Sequence, residues 1–348
     1  MSSNQIVTLF LFSILYLLII NELQRNYAFG VQKLRKQSAK AKRLACKSLA
    51  FADSKKNPRK TDRKGSLSSH IFSVFGSFAY LCRKTQDMIK ALFFDIDGTL
   101  VSMASHQIPP SAVQAITQAK AMNCKVFIAT GRPFGIINNI EPIEPLIDGY
   151  ITASGAHCFV GDVVVYHHPL QKQEVETVLA DAREQDYSCV VVGEQDITTF
   201  NYKDNIDRIF RRKLDIGNID YHLPLERVLQ QDILQITPFL NDRQERQLLS
   251  RLPHCIAARW HPEFADLTSD QADKGKGLEA IARYIGVDLS ECAAFGDGGN
   301  DMSLIKTAGM GVAMGNAGNE LKQMANFVTT DIDADGIRNA LLQLQIIS

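Results

Sequence analysis

The chain has 348 residues, 45% hydrophobic and 22% charged, a composition that excludes a mainly disordered or fibrous protein. Its 38 basic and 38 acidic side chains balance overall, but residues 1–87 hold 16 Lys and Arg against 4 Asp and Glu. The rest of the chain is therefore acidic, which argues against a nucleic-acid-binding protein. The seven cysteines show no C-x-x-C or zinc-like spacing and indicate a reduced, intracellular protein.

Residues 1–87 form an extension that is unlike the remainder of the chain. An apolar run from Ile6 to Ile20 is shorter than the roughly 20 residues that span an untilted bilayer. A basic stretch follows over 33–69 and predicts a solvated tail. We expect the extension to be disordered or to come from a misassigned start, and membrane contact only if residues 6–20 are a real anchor. If the run inserts, the positive charges that follow it place the rest of the chain in the cytoplasm, and a misassigned start leads to the same expected location.

Strand and helix patterns alternate from Met88 onward. Short apolar runs predict buried strands at Lys90–Phe94, Lys125–Ala129, Gly149–Ala153, Cys292–Phe295 and Gly309–Met314. Helical spacing of apolar residues predicts helices between them, over 111–123, 276–285 and 300–307. We therefore expect an α/β protein with a doubly wound parallel sheet and helices on both faces.

The pattern changes between residues 161 and 268. Short β-like runs are found there at Val163–His167, Cys189–Val192, Ile233–Phe239 and Ile256–Trp260, with helical segments near 171–185 and 241–252. These runs predict a second α/β unit, residues 161–268, inserted into a core that consists of residues 88–160 and 269–348.

Polar residues follow three of the predicted core strands. Asp95 and Asp97 follow the first strand, and two carboxylates at this spacing repel each other unless a cation lies between them or one of them is protonated. Thr130, Gly131 and Arg132 follow the second strand and suit an anion. Since open parallel sheets bind ligands beyond the carboxyl ends of their strands, we expect these residues to share one site.

The third strand end and a lysine upstream of it complete the candidate site. Asp297, Asn300 and Asp301 follow the strand at 292–295 and offer the hard oxygen ligands that Mg²⁺ prefers. Lys274 lies among glycines and can contact an anion. A Ca²⁺ EF-hand, a P-loop and a nucleophile-elbow serine are excluded, because their spacings are absent from the sequence.

Four segments of the chain resemble, in this order, the four motifs of the haloacid dehalogenase superfamily: DIDGTL, TGR, DKGKG and GDGGND. The large insertion between the second and third motifs is similar to that of its Cof-type phosphatases, and the resemblance extends over residues 88–348. It implies a Rossmann-like core with an inserted α/β cap. It also implies a Mg²⁺-dependent phosphatase that hydrolyses a small phosphorylated metabolite, a sugar phosphate foremost, through an aspartyl phosphate.

The resemblance also assigns roles to individual residues. It implies that Asp95 is the nucleophile and that Asp97 is the general acid and base. Thr130 would bind the transferring phosphoryl group, and Lys274 would offset its charge. The implied metal site consists of Asp95, Asp97 through its backbone carbonyl, Asp297 and Asp301, where Asp301 either supports the metal or positions Lys274. The implied substrate and phosphate contacts are Gly131, Arg132, Ser154, Gly155 and Asn300.

Two of these contacts depart from the family pattern or stay open. Family members often carry Asn-Gly where this chain has Ser154-Gly155, and a serine hydroxyl donates only one hydrogen bond. Arg132 either contacts the substrate or pairs with an acidic residue. The inserted unit is expected to close over the strand ends and select the leaving group. Its histidines, including His167 and His261, are expected to be surface or packing residues.

Two other functions remain open at the level of sequence. A phosphomannomutase-like isomerase shares the DxDGT motif and would need a cap that holds two phosphates. A membrane-tethered binding module with an inactive pocket is the alternative outside enzymes. The full set of motif residues argues against the binding module, because an inactive pocket does not require all of them.

Overall fold

The computed structural model describes residues 89–348 except 213–215, 217–218, 221–222 and the side chain of Trp260. The apolar run and the basic tail of residues 1–87 lie outside the described residues, as does His222. Among the residues that are described, no helix is both long enough and apolar enough to cross a bilayer.

Thirteen strands in the described residues form two sheets. Their bounds are β1 Ala91–Phe94, β2 Lys125–Ala129, β3 Gly149–Thr152, β4 His157–Val160, β5 Val163–His167, β6 Cys189–Gly193, β7 Ile197–Phe200, β8 Ile233–Pro238, β9 Cys255–His261, β10 Phe264–Ser269, β11 Cys292–Gly296, β12 Met310–Ala313 and β13 Phe327–Val328. The larger sheet has the order β13-β12-β11-β1-β2-β3-β4-β5, and the smaller one has the order β7-β6-β8-β10-β9.

The helices lie between the strands. Their bounds are α1 Pro110–Ala121, α2 Lys172–Glu184, α3 Asp204–Ile206, α4 Leu225–Val228, α5 Asp242–Leu249, α6 Lys274–Ile285, α7 Met302–Thr307, α8 Asn319–Met324 and α9 Gly336–Gln343. A π-helical turn at Asp207–Arg211 extends α3, and short 3₁₀ turns occur at Phe134–Ile136, Glu144–Leu146, Ala153–Gly155, Leu289–Glu291, Gly299–Asp301 and Ile332–Ala334.

The larger sheet is covered on both faces because its central strands are apolar throughout. Side chains alternate between the two faces of a strand. In β1, Leu92 and Phe94 pack in one buried cluster with α1 and α9. Ala91 and Phe93 pack in a second cluster with α6 and α7. This arrangement confirms the predicted α/β core with helices on both faces.

The prediction for one edge of this sheet was wrong. The run Val163–His167 was assigned to the inserted unit, but β5 pairs with β4 in the larger sheet. Strands β3, β4 and β5 are antiparallel neighbours, so the sheet is mixed rather than wholly parallel. Strand β4 was missed and β5 was misassigned because both are only partly buried and lack the continuous apolar pattern of the core strands. The inserted segment therefore begins after His167.

The inserted segment folds around the smaller, antiparallel sheet. One face of this sheet packs in a buried cluster with α2 and α5. The other face packs in a cluster that includes Ile206, Phe210 and Phe264. Ile136, in the turn that follows Arg132, belongs to the same cluster. The inserted segment, called the cap below, thus contacts a loop at the carboxyl ends of the core strands.

Candidate active site

Parallel pairing brings the predicted strand ends together. Strand β1 pairs with β2 on one side and with β11 on the other. The Asp95 N–H donates to the Phe295 carbonyl at 3.0 Å, so the ladder continues to the first candidate residue. The loop after β1 then approaches Asp297 closely. Gly98 has φ +81°, and a Cβ at this position would lie 2.3 Å from Asp297 Oδ2, so only glycine fits here.

Lys274 is the best-defined residue of the site. It is the first residue of α6, which Asp273 caps by accepting a hydrogen bond from the Lys276 N–H. The Lys274 side chain is 1% exposed, and its Nζ donates to Asp95 Oδ1 at 2.8 Å and to Asp301 Oδ1 at 2.7 Å. Burial alone would lower the pKa of Lys274, but the carboxylates of Asp301 and Asp95 raise it. Lys274 is therefore charged at neutral pH.

Asp301 is fully buried and accepts three hydrogen bonds from neighbouring residues. Its Oδ1 accepts from Lys274, and its Oδ2 accepts from the N–H groups of Asp297 and Gly298 at 3.1 and 2.9 Å. Asp301 was predicted in the metal site or as a support for Lys274. The hydrogen bond from Lys274 agrees with the second role, and the carboxylate keeps acceptor capacity for the first.

The carboxylates at this strand edge outnumber the cations. Oxygens of Asp95, Asp297 and Asp301 lie within 4.8 Å of one another. Burial and the neighbouring Asp301 raise the pKa of Asp297 to about 6, although Thr99 Oγ1 donates to it at 3.3 Å. Burial, together with Asp301, also raises the pKa of Asp95. A hard divalent cation would relieve this repulsion, so the donor set fits Mg²⁺.

Arg132 contacts Asp97. Its Nε donates to Asp97 Oδ2 at 2.9 Å and its Nη2 donates to Asp97 Oδ1 at 2.6 Å, a bidentate pair. Its Nη1 donates to Asn138 Oδ1. The Arg132 side chain is 14% exposed and that of Asp97 is 40% exposed. Of the two predictions for Arg132, the structure shows the ion pair, and the carboxylate is that of the predicted general acid.

Three of the predicted substrate contacts, Gly131, Ser154 and Asn300, lie close together. A Cβ on Gly131 would lie 3.4 Å from Ser154 Oγ and 3.6 Å from Asn300 Nδ2, so these three residues converge. Thr130 is 1% exposed, and its Oγ1 accepts from the Arg132 N–H at 3.0 Å, which leaves its own O–H to donate.

Gly155 differs from these three residues, because the packing of two loops explains why a glycine is needed there. It has φ +101°, and a Cβ there would lie 2.4 Å from the Asp273 backbone. The preceding residues Ala153 and Ser154 also have positive φ, at +47° and +56°. This turn packs against the residue that precedes Lys274. Gly155 therefore allows the close approach of two loops, and its assignment as a substrate contact is not needed to explain it.

Sequence reasoning missed Asn316. Its Nδ2 donates to the Gly98 carbonyl at 2.7 Å and lies 3.4 Å from Asp297 Oδ2, and its Oδ1 accepts from the Ile332 N–H. It follows β12, which pairs in parallel with β11. An amide after a fourth strand end was the signal that could have identified it.

Comparison with known proteins agrees with this geometry. A family model described as haloacid dehalogenase-like hydrolase matches residues 92–341. The chain belongs to this family. It is 31% identical over 261 residues to the putative phosphatase YkrA of Bacillus subtilis (strain 168), which covers 74% of this chain and 98% of the relative. It is 27% identical over 286 residues to phosphatase YwpJ of the same strain, with 74% and 100% coverage.

Solved structures extend the agreement to the whole described region. One of them is a sugar phosphatase, BT4131, of subclass IIB of the haloacid dehalogenase (HAD) superfamily, and its sequence is 42% identical to this chain. The two structures superpose with a TM-score of 0.69, and the match covers 74% of this chain and 100% of BT4131. The family is confirmed as the Cof-type phosphatases of the haloacid dehalogenase superfamily. The chain is thus a phosphoric monoester hydrolase, which argues further against the non-catalytic binding module.

Proposed function

We propose that the chain is a Mg²⁺-dependent phosphatase that hydrolyses small phosphomonoesters, foremost sugar phosphates, through an aspartyl phosphate on Asp95. The observation that carries this proposal is the buried Lys274 ammonium, which binds one oxygen of Asp95 and one of Asp301. The similarity to a sugar phosphatase at 42% identity supports the substrate class.

In the first half-reaction, Asp95 forms the new bond to phosphorus. Its Oδ1 accepts from Lys274, which leaves Oδ2 available for the attack. The bond from phosphorus to the ester oxygen breaks, and Asp97 gives its proton to the leaving alcohol. The Thr130 hydroxyl, the Gly131 N–H and Asn300, whose Nδ2 lies close to Gly131, would bind the phosphoryl oxygens. Lys274 offsets their charge without a solvent rearrangement.

In the second half-reaction, Asp97 accepts a proton from water as the water oxygen attacks phosphorus. The bond between phosphorus and Asp95 breaks, which restores the carboxylate and releases inorganic phosphate. Asp95, Asp297 and the backbone carbonyl of Asp97 would hold Mg²⁺, which when bound supplies positive charge against the phosphoryl oxygens. Asp301 keeps Lys274 aligned with Asp95.

The test is phosphate release by the purified full-length chain from a panel of phosphomonoesters, with Mg²⁺ and with EDTA. We expect metal-dependent release, highest for sugar phosphates. Asp95→Asn should lower kcat by at least about 10³-fold, because the amide is a poor nucleophile. The matched control is Asp162→Asn, at an exposed residue of the turn between β4 and β5, which should keep the wild-type rate.

The outcomes separate the hydrolase from the isomerase. Rearranged sugar phosphate without inorganic phosphate would replace the proposal by the mutase. Full activity of Asp95→Asn would remove the assignment of the nucleophile. Location in the cytoplasm and the absence of nucleic-acid contacts remain predictions from the sequence.

A further inference from the structure

A second cluster of possible metal ligands lies at the junction of the larger sheet and the cap. His167 is the last residue of β5 in the larger sheet, whereas Glu194 follows β6 and Asp232 precedes β8 in the cap. His167 Nε2 lies 2.9 Å from Asp232 Oδ2 and 3.5 Å from Glu194 Oε1. The side chains of His167, Glu194 and Asp232 are 25%, 39% and 58% exposed, so solvent reaches the cluster.

The arrangement has one hydrogen-bond donor and two acceptors. A neutral imidazole nitrogen can donate one hydrogen bond, yet Nε2 lies close to two carboxylates. The donor atoms of all three residues lie within 4.8 Å of one another, so the two carboxylates also repel. A cation at Nε2 would turn this repulsion into attraction for both carboxylates.

The distances suit a transition-metal ion. Bonds of ~2.0–2.2 Å at tetrahedral angles place ligand atoms roughly 3.4 Å apart. The observed separations of 2.9 and 3.5 Å lie on either side of this value. A set of one imidazole and two carboxylates with solvent access is typical of Zn²⁺ and its neighbours rather than Mg²⁺. We propose that His167, Glu194 and Asp232 bind one divalent transition-metal ion that joins the end of β5 to the cap.

The structure also sets the expected strength of this site. Metal-binding histidines usually donate their other N–H to an acceptor. His167 Nδ1 has no hydrogen-bond partner within the described part of the chain. Loss of such a partner costs about 10–100-fold in affinity, so this site should bind more weakly than a structural zinc site. His157, whose ring centroid is 5.5 Å from that of His167, is near enough to become a further ligand after a side-chain rotation.

The test uses the full-length chain with Asp297→Asn, which removes a ligand of the catalytic metal site. ZnCl₂ is titrated by calorimetry in excess Mg²⁺, and CoCl₂ is titrated while the visible absorption of the ion is recorded. We expect one equivalent to bind. Adding His167→Gln or Asp232→Asn should weaken this binding at least about 10-fold, because losing a ligand should cost no less than losing a hydrogen-bond partner of a ligand. Asp232 is mostly exposed, so its variant should fold even if the His167 variant does not.

A control variant separates this site from ordinary surface histidines. His254 Nδ1 lies 3.8 Å from a single carboxylate, that of Asp270, so His254→Gln should leave the bound equivalent unchanged. Absence of the equivalent in the Asp297→Asn chain would overturn the proposal. Binding of one equivalent at unchanged affinity to a folded His167→Gln or Asp232→Asn chain would also overturn the proposal. Because binding rather than turnover is measured, failure here is distinct from failure of the proposed phosphatase.

Discussion

Replacing Asp297 with Asn should make the metal-free protein more stable, although it removes a candidate metal ligand. Asp297 is partly buried beside Asp301 and Asp95, and burial followed by the charge of Asp301 raises its pKa to about 6, from 3.8. The ionised carboxylate is therefore unfavourable in the folded chain when no cation is bound. Asn removes the charge and keeps a carbonyl oxygen that can accept from Thr99.

The magnitude follows from the size of the pKa shift. A shift of one unit corresponds to about 1.4 kcal/mol, so a shift of about two units sets an upper limit of about 3 kcal/mol. Asp297 is partly exposed, and solvent screening reduces this figure. We expect Asp297→Asn to raise the free energy of unfolding by about 1–2 kcal/mol at pH 7.5 in EDTA, or Tm by roughly 2–8 °C.

The pH dependence gives the sign of the effect. Between pH 4 and 6 the folded chain binds more protons at Asp297 than the unfolded chain does. Stability of the metal-free wild type should therefore fall as pH rises through this window, and the penalty is complete above the folded pKa. The Asn variant lacks this component, so the difference between the two proteins should vanish near pH 4.

Mg²⁺ should reverse the order of stability. A ligand present at 100 times its Kd stabilises the folded state by about 2.7 kcal/mol. Wild type should gain this stabilisation at pH 7.5 and progressively lose it below about pH 6, where protons compete for Asp297. The Asn variant should gain little at any pH. Thermal denaturation with EDTA and with Mg²⁺, from pH 4.5 to 8, measures all four cases. A metal-free variant that is less stable than wild type at pH 7.5 would refute the reasoning.

Three further substitutions test the supports of the site. Lys274→Met should lower the free energy of unfolding by about 3–5 kcal/mol in EDTA, because it leaves the Asp95 and Asp301 carboxylates buried without their cation. Urea denaturation measures this difference, and a variant as stable as wild type would contradict the prediction. Gly155→Ala should lower the free energy of unfolding by more than about 2 kcal/mol and should lower kcat, because the new Cβ would clash with the Asp273 backbone. The control Gly161→Ala, also at positive φ but with no neighbour within 4 Å, should lower it by about 1 kcal/mol or less. Equal losses of stability in the two variants would show that the contact with Asp273 is unimportant. Arg132→Lys should lower kcat by about 10-fold or more, because lysine cannot form the bidentate pair with Asp97. In a chain that already carries Asp97→Asn, the same substitution should not lower kcat further. Additive losses of kcat would show that Arg132 acts on the substrate instead.

The catalytic set could be predicted because its signals are local in sequence. Asp95 and Asp97 directly follow an apolar run that can only be a buried strand, and Asp297 follows another. Parallel strands end at one edge of a sheet, so the convergence of these residues follows from the fold class. The five predicted core strands lie within one residue of their observed bounds for the same reason, whereas β4 and β13 were not predicted.

Other features depend on contacts between distant segments. The pairing of Arg132 with Asp97 and the engagement of both Asp301 oxygens are choices among several possible partners, and a one-dimensional pattern does not rank them. Likewise, β5 is partly exposed and joins the larger sheet through pairing with β4 rather than through its own periodicity. The sequence by itself determined which residues lie at the strand ends, because burial of apolar strands is a local property. Only the tertiary structure decided which of them contact one another, because hydrogen-bond partners are set by distances across the fold.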